Sequence, residues 1–388
     1  MSARAGAPSL RVAVLGAGPA RSAIVPGLVH ALTPAAGGPP PFTIELAVDE
    51  QSEAWGAEVR ARAGAVGGAI TVQAADRPAA LEGATLVLCL DPVPLPVSPQ
   101  QILAECGWRD APPVGAPAVL ASVLAGPGVL DLARSVTARA PDALLVMMGS
   151  LPDVLAGAAR RRFGVGGLRA VGMGTHLGTL RLRLARLFGA APERLALVHG
   201  GVHRVGWVLR FGVDGRDGYS ELPDRLAPDA GLREVWELTG LIPTVCDAGW
   251  PWGPSLPGPV EEPEGMAIGR LVRAVATGEP DVVGLDVPFA GEALSWPPEV
   301  TAEVPAVVVG THVDPVAVGP LPPGADGLPR LLALQRGLVS DYLANPDPAI
   351  LLRALAATPQ WGTPRQWRRL VSNAEAAVGE SLARAVRP

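Results

Sequence analysis

The residues that most constrain the fold are an apolar run and a glycine turn near the start of the chain. Residues 11–15 (Arg-Val-Ala-Val-Leu) are followed at once by Gly16-Ala17-Gly18. A helix-like stretch then extends to about residue 32, and a second β-rich run, residues 43–48, ends in Asp49. Strand, glycine turn, helix, strand and acid, in this order, make up the first half of a dinucleotide-binding fold.

The turn predicts a cofactor site because its residues have separate physical roles. Gly16 permits the tight turn, Gly18 lets the backbone approach a pyrophosphate, and the helix N-terminus supplies amide donors. Asp49 would accept hydrogen bonds from ribose hydroxyls and repel a 2′-phosphate, which favours NAD over NADP. The predicted cofactor-binding residues are Gly16, Gly18, Pro19, Ala20, Arg21 and Asp49. Arg21 stands where the third glycine of such turns is usual, so an ordinary strand–turn–helix connection is the alternative.

Further β and α segments alternate along the first half of the chain. Buried strands are predicted at 84–90, 143–148 and 168–173, with helices at about 120–140 and 153–163. Repeated βα units predict the α/β class, with an N-terminal Rossmann-type, doubly wound parallel sheet. We place this NAD-binding domain at residues 1–174. Residues 175–388 are predicted to form a C-terminal α+β domain for substrate binding and oligomerisation.

Composition excludes several classes of function. All 32 basic residues are arginine, so Schiff-base chemistry and a Walker-type site with its lysine are excluded. The net charge is −5 and no basic stripe carries interleaved aromatics, which argues against nucleic acid as a partner. Three cysteines without metal-ligand spacing indicate reduced thiols and a cytoplasmic protein. Glycines interrupt the apolar run near the start of the chain and no run of 18 apolar residues exists, so we expect neither a signal peptide nor a membrane span.

Three histidines lie where a ligand site is expected. His176 follows the last strand of the predicted parallel sheet, at the carboxyl edge where such folds bind ligands. His199 and His203 are four residues apart in His-Gly-Gly-Val-His, which is interpreted as a flexible turn that holds both imidazoles close together. The three could bind a divalent metal. The alternative is that they are polar loop histidines or hydrogen-bonded structural ones.

Two stretches resemble the lactate/malate dehydrogenase superfamily. Residues 172–181 (Gly-Met-Gly-Thr-His-Leu-Gly-Thr-Leu-Arg) and Gly201-Val202-His203 are similar to its Gly-Thr-x-Leu-Asp-Thr-x-Arg and Gly-x-His elements. This resemblance implies that His203 is the acid/base on a substrate hydroxyl and that Arg181 clamps a substrate carboxylate. Gly178 stands at the position of the carboxylate that would orient the histidine.

The second half of the chain is more similar to the NAD-dependent family-4 glycosidases of the same superfamily. Residues 302–305 (Ala-Glu-Val-Pro), 319–322 (Gly-Pro-Leu-Pro) and 203–207 (His-Arg-Val-Gly-Trp) resemble elements of that family. The resemblance implies NAD, a divalent metal such as Mn²⁺ held by a cysteine and a histidine, and a tyrosine base. Gly174 stands at the position of that cysteine, which leaves His203 as the matching metal ligand.

The segment that would carry the tyrosine of the resembled family has no tyrosine here, and its own side chains are candidates for the site. Residues 244–247 read Thr-Val-Cys-Asp, so Cys246 or Asp247 would be the proton acceptor. Trp250 and Trp252 follow, and they could stack on a sugar ring or form a subunit contact. His176 is a further candidate for substrate binding.

Three functions remain open at this point. The first is an NAD-dependent oxidoreductase that acts on a secondary hydroxyl of a small sugar-like or hydroxy-acid substrate. The second is an atypical glycosidase or lyase that works by oxidation, proton abstraction and elimination. The third is a catalytically weak NAD-binding protein. The resembled families imply a homodimer or homotetramer.

Overall fold

The computed structural model describes residues 9–16, 21–33, 40–49, 61, 69–90, 95–108, 115–149, 151–174, 176–245, 263–358 and 362–387. The strands within these ranges are β1 Ser9–Leu15, β2 Thr43–Asp49, β3 Ile70–Ala75, β4 Leu86–Cys89, β5 Leu144–Met147, β6 Arg169–Gly172, β7 Leu195–Val202, β8 Val205–Val213, β9 Arg216–Asp217, β10 Ile242–Pro243, β11 Asp281–Val287, β12 Ala302–Val309 and β13 His312–Pro315. The helices are α1 Arg21–Leu32, α2 Arg77–Leu81, α3 Pro99–Glu105, α4 Ala116–Arg139, α5 Pro152–Phe163, α6 His176–Phe188, α7 Leu222–Arg225, α8 Ala230–Thr239, α9 Pro263–Thr277, α10 Gly327–Ala344, α11 Pro348–Ala356 and α12 Pro364–Ala385.

The first six strands form the predicted doubly wound sheet, in the order β3-β2-β1-β4-β5-β6. Every neighbouring pair among them is parallel. β1 lies centrally, and Val12 pairs with Leu46 of β2 on one side and with Leu86 of β4 on the other. Strand order therefore reverses direction beside β1, which is where open α/β sheets bind ligands at the carboxyl ends of their strands.

The second half of the chain extends the same sheet with antiparallel strands. The order continues from β6 through β11, β12, β7 and β8 to β10. β11 and β12 pair over seven residues, from Asp281↔Val308 to Val287↔Ala302. In contrast, β11 joins β6 through the single pair Asp286↔Gly172, and β12 joins β7 through the single pair Glu303↔Gly201. We call these two narrow connections the sheet joints.

The segment His199–His203 differs from its sequence-based prediction as a flexible turn. β7 extends to Val202, so His199 lies within a strand, with a register irregularity between Val198 and His199. Only His203 and Arg204 form the turn to β8, and Arg204 takes the left-handed backbone conformation that such a tight turn requires (φ 64°). The prediction was wrong because two glycines in sequence are compatible with a strand as well as with a loop.

Helices cover both faces of the sheet and bury its apolar side chains. On one face α1 packs against α9, and their buried residues join those of β1, β2, β11 and β12 in one core. On the other face α4 and α5 contact α10, α11 and α12. One described helix, α4, is long and apolar enough to cross a membrane, and most of its candidate window is buried inside the protein, as in the core helix of a soluble protein.

The predicted domain boundary at residue 174 stays a prediction. Helices from the second half of the chain pack onto the first half, as α9 does on α1 and α10 does on α5. The boundary falls just beyond the joint between β6 and β11.

Candidate functional site

The predicted cofactor turn lies at the point of strand-order reversal. β1 ends at Leu15, and Gly16 directly after it has φ 92°, a left-handed conformation that favours glycine. α1 begins at Arg21 and β2 ends at Asp49, although the side chains of these two residues are not described. Gly18, Pro19 and Ala20 lie outside the described residues. The described backbone thus has the strand and the helix that the sequence predicts on either side of the turn.

Two histidines and a glutamate converge beside the carboxyl end of β6. His176 is the first residue of α6, His203 lies in the turn between β7 and β8, and Glu303 is on β12. Nε2 of His176 lies 2.9 Å from Oε1 of Glu303, and the two imidazole rings meet edge to face with centroids 5.1 Å apart. One ligand atom from each of the three residues lies within 4.8 Å of the others. Two imidazoles and a carboxylate are a ligand set that suits Mn²⁺ or Zn²⁺. We call His176, His203 and Glu303 the ligand triad.

A second carboxylate, Asp286, accompanies the ligand triad. Oδ2 of Asp286 lies 3.2 Å from Nδ1 of His203, and Asp286 is fully buried. Their alignment does not meet hydrogen-bond geometry, so within the described part of the chain both oxygens and Nδ1 have no hydrogen-bond partner. Asp286 and Glu303 are also direct cross-strand partners. Two buried acids face each other here, an arrangement that opposes folding unless something offsets the charge.

A buried ion pair holds the turn that carries His203. Nη1 of Arg336 on α10 lies 2.6 Å from Oδ2 of Asp153 on α5 and also donates to the backbone oxygen of His203 at 3.0 Å. Arg336 and Asp153 are both almost completely buried. This pair fixes the turn, and the hydrogen bonds of Arg336 go to Asp153 and His203, so that Arg336 acts on Asp286 and Glu303 only through its charge, which lowers the pKa of both.

Burial dominates the electrostatics of these groups. It raises the pKa of Glu303, which nearby Asp153 raises further, and it raises the pKa of Asp286, which Glu303 raises further. Burial also lowers the pKa of His203, with a further lowering by His176. The site therefore favours a neutral imidazole at His203, whose lone pair can bind a metal, and disfavours two free carboxylates.

Gly174 makes room for the two imidazoles. A Cβ built on Gly174 would lie 2.4 Å from Cε1 of His176 and 2.8 Å from Cε1 of His203. Any side chain at this position would therefore displace both rings. The resemblance to family-4 glycosidases places a metal-binding cysteine at this position, and in this chain His176 occupies the adjoining space.

The structure does not bring all the predicted site residues together. His199 is buried but lies outside the ligand triad, where its ring is next to Leu177 and Gly284, and burial lowers its pKa to about 3. Arg181 donates to the backbone oxygens of Leu195 and Pro192 and so ties α6 to the start of β7. These contacts favour a structural role over a clamp on a substrate carboxylate. Cys246, Asp247, Trp250 and Trp252 lie outside the described residues.

Sequence reasoning missed Asp286, Asp153 and Arg336 and noted Glu303 only as part of a resemblance. One signal was available, because Asp286 and Glu303 lie within largely apolar strands, each between two buried apolar neighbours. An ionisable residue in the middle of a buried strand needs a partner or a ligand.

Comparisons with known proteins support the same architecture. No family model matches the chain, and no curated protein matches its sequence. Solved structures do match. The 6-phospho-beta glucosidase from Thermotoga maritima, solved with manganese, NAD⁺ and glucose-6-phosphate, aligns with a TM-score of 0.77 at 16% identity over 96% of this chain and 98% of that one.

Two further structures extend the comparison. A 6-phospho-alpha-glucosidase from gut microorganisms, in complex with NAD and Mn²⁺, aligns with a TM-score of 0.77 at 13% identity over 97% of this chain and 99% of that one. A lactate dehydrogenase from a Medee basin deep-sea metagenome library aligns with a TM-score of 0.58 at 14% identity over 86% of this chain and 100% of that one. The chain has the fold that these glucosidases and dehydrogenases share, which confirms the predicted resemblance at the level of the fold.

Proposed function

We propose that this protein is an NAD-dependent enzyme that oxidises or reduces a secondary hydroxyl of a small sugar-like substrate beside a divalent cation. The observation that carries the proposal is the ligand triad, which lies at the edge of the sheet where this fold binds ligands. The likeness over nearly the full length of glucosidases solved with NAD and Mn²⁺ supports it.

The residues present fit both groups. For a divalent cation, the triad offers two imidazole nitrogens and a carboxylate, and the charge of Glu303 and Asp286 together equals that of one dication. For NAD, the left-handed turn at Gly16 and the start of α1 offer a backbone frame for a pyrophosphate. Asp49, at the end of β2, is the residue assigned to the ribose.

The chemistry divides between the bound groups and the chain. When bound, NAD would supply the hydride acceptor, and a dication would polarise the oxygen on the reacting carbon. The chain holds the ligand triad in place, excludes water from Glu303 and favours the neutral form of His203 by burial. We assign His203 to the cation. Its alternative role as acid/base on the substrate hydroxyl stays a prediction.

Net bond cleavage is the second candidate reaction. The presence of a metal ligand set, which oxidation alone by a lactate-type dehydrogenase does not need, favours a reaction that continues from oxidation to proton abstraction and elimination. Cys246 and Asp247 are our candidates for the proton acceptor in that case, and Trp250 and Trp252 for contacts with the sugar ring.

Titration of the purified full chain with NAD⁺, NADP⁺ and MnCl₂ tests the proposal. We expect NAD⁺ at a hundred times its Kd to stabilise the fold by about 2.7 kcal/mol. NADP⁺ should stabilise it less, and Mn²⁺ binding should be lost in Glu303→Gln. A panel of sugars and sugar 6-phosphates, followed at the absorbance of NADH, then separates net oxidation from cleavage by its products. A chain that binds neither NAD⁺ nor Mn²⁺ would refute the proposal.

We extend the proposal to a cytoplasmic homo-oligomer. The free, buried thiol of Cys106 is consistent with a reducing compartment. Light scattering on the eluted protein would reveal a dimer or tetramer, and a monomer at micromolar concentration would contradict this part.

A further inference from the structure

Each imidazole of the ligand triad faces its own carboxylate. Glu303 on β12 faces Nε2 of His176, and Asp286 on β11 faces Nδ1 of His203. The two carboxylates stand opposite each other on neighbouring strands. Glu303 is thus a member of the ligand triad, whereas the carboxylate of Asp286 meets the triad at His203.

Asp286 lies outside the ligand triad. Its oxygens are not part of the group of ligand atoms that lie within 4.8 Å of one another. Its backbone pairs with Gly172, where a Cβ would lie 2.8 Å from both Cβ and Oδ2 of Asp286. The missing side chain at Gly172 therefore leaves the space in which the carboxylate turns toward His203.

Within the described part of the chain, His176 and Arg336 lower the pKa of Asp286 through space, but no group donates a hydrogen bond to its carboxylate. Arg336 is paired with Asp153. Both oxygens of Asp286 and Nδ1 of His203 are buried and lack hydrogen-bond partners, although Oδ2 and Nδ1 are only 3.2 Å apart. A small rotation of the ring would align Nδ1–H with the carboxylate. A carboxylate that accepts from one imidazole nitrogen fixes the tautomer and leaves the other nitrogen for a metal.

We propose that Asp286 is a positioning residue that orients His203 toward the cation by accepting a hydrogen bond from Nδ1. This inference rests on the proposed function, because it needs a cation at the ligand triad. It adds a residue from β11, which supplies no member of that triad. It also gives a reason for a fully buried acid between Leu285 and Val287, near the end of β11.

The experiment compares Mn²⁺ binding to the full chain by the electron paramagnetic resonance signal of free Mn²⁺. We expect Asp286→Asn to raise the Kd about tenfold, because an amide oxygen is a weaker acceptor, and Asp286→Ala to raise it up to about a hundredfold. The Co²⁺ absorption spectrum of Asp286→Asn should also shift, since the orientation of one ligand changes. Asp281→Asn is the matched control on the same strand. It breaks the ion pair with Arg270 at the opposite end of β11 from Asp286 and should leave the Kd unchanged.

Melting without metal separates positioning from a merely structural role. Removal of an unpartnered buried carboxylate should leave the apo melting temperature of Asp286→Asn equal to or above that of the unaltered chain. A lowered apo melting temperature together with weak binding would show a structural role and overturn the inference. Equal Mn²⁺ affinity in all the Asp286 variants would also overturn it while leaving the proposed function intact. Absence of Mn²⁺ binding to the unaltered chain would instead refute the cation in the proposed function.

Discussion

At the scale of single residues, burial constrains one position beside the ligand triad and one outside it. Gly174 has no side chain where two imidazoles need the space. His199 is buried with no hydrogen-bond partner on either ring nitrogen among the described residues. Both features lead to measurable consequences for substitution and for pH.

A methyl group at position 174 should disrupt cation binding while every proposed ligand is still present. In Gly174→Ala the new Cβ would overlap atoms of His176 and His203 at 2.4 to 2.8 Å. We expect the Kd for Mn²⁺ to rise at least tenfold and the free energy of unfolding to fall by about 1–3 kcal/mol. Gly379→Ala is the control, because nothing lies within 4 Å of a Cβ on this helical residue. It should raise stability by about 0.5–1 kcal/mol and leave Mn²⁺ binding unchanged.

The stability of the fold should depend on pH through His199. Its folded pKa of about 3 lies below the ordinary histidine value of 6.5, so below pH 6.5 the unfolded chain gains a proton that the folded chain does not. The stability that this neutral imidazole contributes is present above pH 6.5 and is lost as the pH falls toward 3. The His199→Leu variant cannot take up this proton. Its free energy of unfolding minus that of the unaltered chain should therefore be about 2 kcal/mol larger at pH 5 than at pH 7.

Urea titrations at both pH values measure this difference. Val208 is the cross-strand partner of His199, and Val208→Ala removes buried apolar atoms without removing a titratable group. Its cost should be the same at pH 7 and pH 5. A difference between His199→Leu and the unaltered chain that does not change with pH would contradict the prediction.

At the scale of secondary-structure elements, a glycine contact sets the distance between α1 and α9. A Cβ on Gly269 would lie 2.7 Å from the backbone oxygen of Gly27, and a Cβ on Gly265 would lie 2.7 Å from its nitrogen. Arg273, one turn further along α9, donates to the carbonyl oxygens of His30 and Thr33 at the end of α1. The two helices therefore run parallel, and α9 holds the helix that begins after the predicted cofactor turn.

Separation of these two helices should weaken both the fold and NAD binding. We expect Gly269→Val to lower the free energy of unfolding by about 1–3 kcal/mol, because the valine must push α1 away. NAD⁺ affinity, measured by isothermal titration calorimetry, should fall with it because the start of α1 would shift. Ala267→Val, on a half-buried position of the same helix, introduces the same side chain without that contact. If Gly269→Val binds NAD⁺ as tightly as Ala267→Val does, the coupling is absent.

At the scale of the whole molecule, both halves of the chain contribute to one continuous sheet and to shared cores. The ion pair of Asp153 and Arg336 links α5, before residue 174, to α10 in the second half. Truncation at residue 174 would remove α9 from α1 and α10 from α5. The cost of these exposed apolar faces and of an unpaired buried aspartate would exceed the stability of a typical domain.

We therefore expect the chain to unfold in one thermal transition. Calorimetric and van't Hoff enthalpies of the full chain should agree, as they do for a single cooperative unit. A fragment of residues 1–174 should give a poorly dispersed nuclear magnetic resonance spectrum. Two separate heat-capacity peaks, or a well-dispersed spectrum of the fragment, would instead support independent domains on either side of residue 174.

The sequence predicted those features that depend on neighbouring residues. The strand and turn at Gly16 and the placement of His176 after β6 follow from local patterns and from the rule for parallel sheets. The pairing of Asp286 with Glu303 was not predictable, because it depends on the register of two antiparallel strands. His199 was misplaced for a related reason. Four residues of strand extend about 13 Å, so His199 and His203 are held apart where a turn would have held them together.

The sheet joints have a consequence for how the molecule opens. Asp286 and Glu303 each lie at a joint made by a single residue pair, so the site stands where the sheet has the fewest ladder contacts. Backbone amides beside Gly172 and Gly201 should exchange with deuterium faster than those in the long ladder of β11 and β12. A cation held by the ligand triad would link β12 to the start of α6 and to the turn after β7. It would therefore stabilise both joints together. Slower exchange at Gly172 and Gly201 on addition of Mn²⁺, with no change in the middle of β11, would then report occupancy of the site without any knowledge of the substrate.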